Sequence, residues 1–406
     1  MKKIKSIAMV WEQNAYGGVD SYLSYLLNSK YFSDISVTIY VNHNNEGLKR
    51  FKKNINNKLV NIIEYKSLLE IYPSNSVLKK IYYFLKPLLF IMMIFKFKKL
   101  FEDKNYDVLI GQCGGYGHIR GEMAAILAAK NQKIPVKTLV IHHACTHYPP
   151  FMGSFLKLLN HIISKSLSSV ICVSYATRET LFNKSNLLDR EALHDLVIHN
   201  GIPKFGELEK FNNIKEENKK LDFFKVCLIS RIEDYKGQAD LISAVHMLPE
   251  VYKKKFKFYF VGKGEIKNIE SLNQLINKFD LKNYFVFSGY QDKPIKEILS
   301  NFDLALSLTR SFEGFGLSIV EAMSAGIPLI VTEVGAVSEY INNTYCEIIP
   351  PSSILDLKRA LISFVEDNKV WRNRSKVAKD YINNSYHSDA MAQKYLSHFE
   401  QILNSK

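Results

Sequence analysis

The sequence predicts an α/β protein made of two doubly wound parallel-sheet domains. Three observations carry this prediction. The chain has 406 residues, the length of two or three domains at about 100–200 residues each. Short apolar runs alternate with longer segments of helical period along its whole length, the pattern of parallel strands joined by crossover helices. One long polar stretch, KFGELEKFNNIKEENKK at 204–220, interrupts that alternation between Ile202-Pro203 and a fresh apolar run, as an interdomain linker does. Hydrophobic residues at 47% and charged residues at 23% exclude a disordered, collagen-like or disulfide-stapled chain.

The first domain, 1–203, has apolar runs read as strands at 6–10, 36–41, 107–110, 137–142, 170–174 and 196–199. Helical patterns lie between them, as at 20–28 and 122–130. The second domain, 221–388, has strands at 224–229, 256–261, 284–287, 304–308, 328–331 and 347–349, with helices at 237–247, 269–278, 295–300 and 318–324. The last stretch, 389–406, reads as a helix packing back on the first domain. Two such Rossmann-like domains imply a central cleft, and open α/β sheets bind ligands at the carboxyl ends of their strands.

Charge is uneven. The formal net charge is +14, and residues 1–200 hold 26 basic against 14 acidic residues. The first domain therefore meets something anionic. About half of its excess lies at 78–100, LKKIYYFLKPLLFIMMIFKFKKL, which has six lysines, six aromatics and no acid. Its uninterrupted apolar run, 87–95, is far short of the roughly 20 residues that span a bilayer. A basic, aromatic, apolar helix suits a membrane surface, with Lys79, Lys80, Lys96, Lys98 and Lys99 among the headgroups. The first residues, MKKIKSIAMVWEQ, are read as a strand, because Glu12 interrupts any signal-like apolar region. Five scattered cysteines without a C-x-x-C pair point to a reducing compartment. The expected location is cytoplasmic, peripheral on the inner face of the cell membrane.

Two segments carry chemistry. In SFEGFGLSIVEAMSAGIPLIVTEVGAVSEYI, 311–341, Glu313, Gly314, Phe315 and Gly316 form a turn after a strand, and Leu317 opens a helix. Backbone N–H groups at such a turn make an anion site. Glu313 and Glu321 can face one ligand from the loop and from the helix. In ISRIEDYKGQADLISAV, 229–245, Arg231 and Lys236 sit on the loop after the domain's first strand. Two fixed cations there would neutralise a diphosphate leaving group.

Together these residues resemble family-4 glycosyltransferases of the GT-B architecture. The likeness rests on Ser230-Arg231, Lys236-Gly237, Val261-Gly262-Lys263-Gly264, Phe287-Ser288-Gly289-Tyr290 and Glu313 through Gly335, with Glu-x7-Glu at Glu313 and Glu321 as its specific part. The first domain matches more loosely, at Gly17-Gly18-Val19, His142-His143, Val173-Ser174 and Asn200-Gly201-Ile202. The resemblance implies a retaining transferase using a nucleotide sugar, UDP-linked in the commonest case, and working at polysaccharide assembly such as O-antigen or capsule. It implies that Arg231 and Lys236 hold the donor diphosphate and that Glu313 meets sugar hydroxyls near the Gly316 and Leu317 amides. Glu321 would accept from the ribose diol. Gly17, Gly18, Gly262 and Tyr290 would lie at the donor, with His142 or His143 at its sugar. His143, at the very end of the strand, is favoured.

No D-x-D occurs, so no metal and no other cofactor is expected. HHACTH at 142–147 lacks tetrahedral ligand spacing. Residues 110–121 and 261–267 each break the G-x-G-x-x-G pattern of a nicotinamide site. His118 and Arg120 are placed on the acceptor side, facing an anionic acceptor, with a plain helix-entry turn as the other reading. A basic nucleic-acid-binding protein would account for the charge but not for the long apolar run. A sugar-nucleotide epimerase or a phosphorylase would share the fold.

Overall fold

The computed structural model describes residues 2–14, 17–71, 75–146, 153–187, 193–205 and 223–405. The expected linker, 204–220, lies almost wholly outside them. The chain divides into two compact units, Met1–Gly201 with Ser388–Lys406, and Ile202–His387.

The first unit runs β1 (Ser6–Trp11), α1 (Val19–Leu27), β2 (Ser36–Asn42), α2 (Leu48–Asn54), β3 (Val60–Tyr65), α3 (Ser76–Leu100) and β4 (Val108–Cys113). It continues through α4 (Gly121–Asn131), β5 (Val136–Ile141), α5 (Gly153–Ser164), β6 (Ser169–Cys172), α6 (Tyr175–Lys184) and β7 (His194–Val197). All pairings are parallel, in the order β3-β2-β1-β4-β5-β6-β7. β1, β4 and β5 are buried almost throughout. Helices on both faces of a parallel sheet require that, and it is why these strands read as continuous apolar runs. β3 is half-buried at Val60, Ile62 and Ile63, exposed at Asn61 and Glu64, and buried at Tyr65. As an edge strand it has no continuous apolar run, so the sequence pattern misses it.

α4 is almost entirely buried. Its four alanines let it pack closely between α3, α5 and the sheet. The last helix of the chain, Ser388–Asn404, also belongs to this unit. There Ser29 Oγ donates to Asp389 Oδ1 at 2.7 Å, and Tyr395 packs against Tyr22.

The second unit runs β8 (Phe224–Ile229), α7 (Gln238–His246), α8 (Glu250–Lys253), β9 (Phe256–Val261), α9 (Ile266–Lys278), β10 (Phe285–Gly289), α10 (Ile295–Leu299) and β11 (Leu304–Ser307). It ends with α11 (Leu317–Ser324), β12 (Leu329–Thr332), β13 (Glu347–Ile349), α12 (Ile354–Glu366) and α13 (Asn368–Ser385); the Ser388–Asn404 helix of the first unit is α14. This sheet is also parallel, in the order β10-β9-β8-β11-β12-β13. Stacked Phe258, Phe260 and Phe285 fill part of its core, with ring centroids 5.3–5.5 Å apart. In each sheet the strand order reverses direction once, between β1 and β4 and between β8 and β11. At each of those points a crevice opens at the carboxyl ends of that sheet's own strands.

Candidate active site

In the second unit the loops that follow β8 and β11 meet at the reversal point. Lys236 Nζ lies 3.0 Å from Glu313 Oε2 and 3.3 Å from Thr309 Oγ1, and Thr309 Oγ1 donates to Glu313 Oε2 at 3.1 Å. The Lys236 and Glu313 side chains are 15% and 18% exposed, so their attraction is only partly screened by water. Arg231 stands on the same loop with its guanidinium engaged: Nη1 is 2.7 Å from Glu233 Oε1, and Nη2 donates to Tyr235 OH at 3.1 Å. Gln238 Nε2 donates to the Arg231 carbonyl at 2.9 Å. Arg310 joins the two loops, donating its backbone N–H to the Tyr235 carbonyl and its side chain to both oxygens of Asp240, at 2.7 and 2.6 Å. Such a two-pronged pair fixes geometry as well as charge.

The turn before α11 depends on glycine. Gly316 has φ +82°, and a Cβ there would lie 2.9 Å from Tyr340 OH and 3.1 Å from Glu313 Cγ. Tyr340 OH donates to the Phe315 carbonyl, and Ala336 N–H donates to the Glu313 carbonyl at 2.9 Å. Both ends of the turn are therefore held by the segment after β12. The Phe315 ring is buried and stacks on Tyr340 at 5.0 Å. Its side chain belongs to the core, so the part expected of Phe315 in an anion-binding turn falls to its backbone. Gly314 is buried, Leu317 half-buried, and Glu321 is buried about one turn into α11. Gly262, at φ +153°, brings the end of β9 against the end of β8: a Cβ there would lie 1.9 Å from the Ser230 carbonyl oxygen. Tyr290 follows the edge strand β10 and is exposed.

The structure thus brings Lys236 and Glu313 into contact and places Arg231 on the same loop. The sequence reading missed Thr309, Glu233, Tyr235, Arg310 and Tyr340. Thr309 carried a usable signal, a polar residue just past a strand and four residues before Glu313. The tyrosines carried none.

In the first unit β5 ends at Ile141, so His142 and His143 both lie beyond it. His142 Nε2 donates to Gln112 Oε1 at 2.8 Å, and its ring packs edge-on to Tyr22 at 4.7 Å. Burial pushes its pKa down to about 3, which keeps the ring neutral. His143 is half-buried. Gly18 caps α1, and among the described residues a Cβ on Gly17 would meet only Gln13 Nε2, at 3.9 Å.

Between β1 and β4 the interior holds ionisable groups. The Glu12 carboxylate accepts from Ser67 Oγ and from Gly121 N–H. A Cβ on Gly121 would fall on that carboxylate, so any larger residue there would push the Glu12 side chain aside. Glu122 is 1% exposed, and among the described residues neither of its carboxyl oxygens has a hydrogen-bond partner. Burial, then the charge of Glu12, raises the Glu122 pKa; burial is also the main cause that raises Glu12. Arg120 Nη1 is 3.7 Å from Glu70 Oε1, and its charge acts on both buried carboxyls. Arg120 thus stands beside the protein's own acids. His118 Nε2 is 3.3 Å from Thr146 Oγ1.

The lysines of α3 differ among themselves. Lys79, Lys80 and Lys99 are exposed, and Lys98 lies over the Phe95 ring at 5.1 Å. Lys96 donates to the Lys66 carbonyl at 2.7 Å and covers Tyr65, so it is tied to the protein. Among the described residues no helix is long and apolar enough to cross a membrane.

Residues 209–387 match the family model described as Glycosyl transferases group 1. An uncharacterized glycosyltransferase of Methanocaldococcus jannaschii is 25% identical over 254 residues, covering 61% of this chain and 62% of that protein. The poly(ribitol-phosphate) alpha-N-acetylglucosaminyltransferase of Staphylococcus aureus is 25% identical over 315 residues, covering 76% and 58%. The chain thus spans about three fifths of the length of these relatives. The crystal structure of Anabaena HepE in complex with UDP superposes with a TM-score of 0.72 at 17% identity, covering 98% of this chain and 100% of that one. In sequence over its second unit, and in fold over nearly its whole length, the chain is similar to glycosyltransferases of the GT-B architecture.

Proposed function

We propose that this protein is a retaining, metal-independent glycosyltransferase. It moves a hexose or N-acetylhexosamine from a UDP-linked sugar to a hydroxyl of a lipid-linked saccharide in cell-surface polysaccharide assembly. The observation that carries the reading is the contact of Lys236 with Glu313 and Thr309 at the strand reversal of the second unit. There, a cation and a carboxylate stand together at the carboxyl edge of a parallel sheet, beside a glycine turn that opens a helix.

In this reading Lys236 and Arg231 take the charge that develops on the departing diphosphate. Their present partners, Glu313 and Glu233, hold both cations in place until the donor arrives. Glu313 then accepts from sugar hydroxyls, while the Gly316 and Leu317 amides face the donor. Glu321 accepts from both hydroxyls of the ribose, which a carboxylate can do with its two oxygens. The bond from the anomeric carbon to the diphosphate oxygen breaks as the acceptor oxygen attacks from the same face. The acceptor proton passes to that phosphate oxygen. The first unit receives the acceptor, and its acid-free basic helix α3 supports an acceptor presented at an anionic membrane surface.

The test has two arms. A thermal-shift panel of UDP, GDP and ADP and their sugars, without metal, should show the uridine class raising the midpoint, by an amount set by concentration over Kd. Glu321→Ala should remove that rise. NMR of the product should show retained anomeric configuration. No response to any nucleotide, or an inverted product, would overturn the reading.

A further inference from the structure

We infer that α3 and α5 together form one face that docks on an anionic lipid bilayer. The sequence pattern drew attention only to α3. The structure adds a second helix and an orientation.

Chain direction across the sheet reverses after β3. With right-handed crossovers, α3, α4 and α5 therefore lie on the face opposite α1 and α2. The packing agrees: α3 and α5 both pack against α4, while α1 packs against α2 and α14. Both flanking helices turn apolar side chains to solvent. On α3 they are Val77, Ile81, Phe84, Leu88, Ile91 and Phe95, spaced three or four residues apart, with Phe84 85% exposed. That spacing makes one stripe along the helix, and residues 77 to 95 at about 1.5 Å each give it a length of about 27 Å. On α5 they are Phe155, Leu158 and Ile162, again at helical spacing, with Leu158 59% exposed. Soluble monomers scatter such residues singly.

Charge identifies the occupant. Neither helix contains an acid; α3 carries six lysines, and α5 carries Lys157 and His161. A second copy of the chain would set this basic face against itself, since a two-fold interface pairs a patch with the same patch. Anionic headgroups attract the exposed lysines Lys79, Lys80, Lys99 and Lys157, while the apolar stripe and its aromatics enter the headgroup–acyl boundary. No helix among the described residues is long and apolar enough to cross the bilayer, so the helices lie along it. The inference rests on the proposed membrane-surface acceptor for its purpose, although its evidence is independent of the donor site.

Sedimentation of the full chain with vesicles tests it. Phosphatidylcholine vesicles containing phosphatidylglycerol should bind the protein, pure phosphatidylcholine should bind at least about tenfold less, and salt should weaken binding. Phe84→Glu and Leu158→Glu should each lower the affinity about tenfold or more. Lys79→Gln with Lys80→Gln should weaken binding to anionic vesicles only. All these positions are exposed, and an unchanged melting midpoint checks the fold of each variant. Failure of the wild type to bind anionic vesicles would overturn the inference, as would full binding by Leu158→Glu. A dimer that both glutamate substitutions dissolve would overturn it too, by assigning the face to a second copy. The nucleotide response is measured without vesicles: if it fails while vesicle binding holds, the donor reading falls and this face stands.

Discussion

Replacing Glu122 with Gln should change the pH dependence of stability of the first unit. Glu122 is buried, neither of its carboxyl oxygens has a partner among the described residues, and Glu12 beside it is also buried. Burial favours the neutral acid, so the folded pKa is raised above the unfolded value. Stability from a group shifted this way is fully present below the unfolded pKa and is lost as pH rises through the folded one. Raised from 4.5 to about 8, a carboxyl titrating alone would lose close to about 5 kcal/mol between those pH values, at about 1.4 kcal/mol per pH unit. Glu12 shares the cost, so one substitution should recover about half, roughly 2–3 kcal/mol. For a unit of this size that is about 5–10 °C in Tm. The glutamine amide, left unpaired, costs about 1–3 kcal/mol at every pH. The informative quantity is therefore the change in the mutant-minus-wild-type difference between pH 5 and pH 8.5. Thermal unfolding of both proteins should show Glu122→Gln gaining on the wild type as pH rises. An equal difference at the two pH values would refute the reasoning, because the carboxyls would then ionise as if in water.

Four further outcomes follow from the same structure. Lys236→Ala and Glu313→Ala should each lower kcat by about 10²–10³ while the fold survives; turnover like that of the wild type in either variant sinks the site assignment. Gly316→Ala should destabilise the second unit by about 1–3 kcal/mol, because φ is positive there and the new methyl meets Tyr340 OH; an unchanged unfolding midpoint would contradict it. Tyr340→Phe removes the hydroxyl that donates to the Phe315 carbonyl, a loss of about 0.5–1.5 kcal/mol that loosens the turn carrying Glu313; kcat should fall more than KM rises, and equal changes in both would argue against a positioning role. Glu12→Gln should mirror the pH behaviour of Glu122→Gln, and a double variant adding the two effects in full would show that the carboxyls are uncoupled.

Much of this protein is determined by local sequence. Central strands such as β1, β8 and β9 are legible because both faces of a parallel sheet are covered, so the apolar run is continuous. Glu313, Lys236 and Arg231 are legible because a loop at a strand's carboxyl end has a short list of uses for fixed charge. Local sequence is silent where burial is decided by distant neighbours. β3 is missed because an edge strand needs only one apolar face. The surroundings of Arg120 are silent in the sequence until Glu12 and Glu70 reach it and its neighbour Glu122 from more than 45 residues away. Phe315 sits inside the most recognisable motif, yet Tyr340, 25 residues later, draws its ring into the core. α5 looks like any amphipathic helix until the crossover order places it beside α4 on the same face as α3. Sequence periodicity sets which residues share a face. Only the tertiary structure decides what that face meets, because burial and charge pairing are properties of the neighbours.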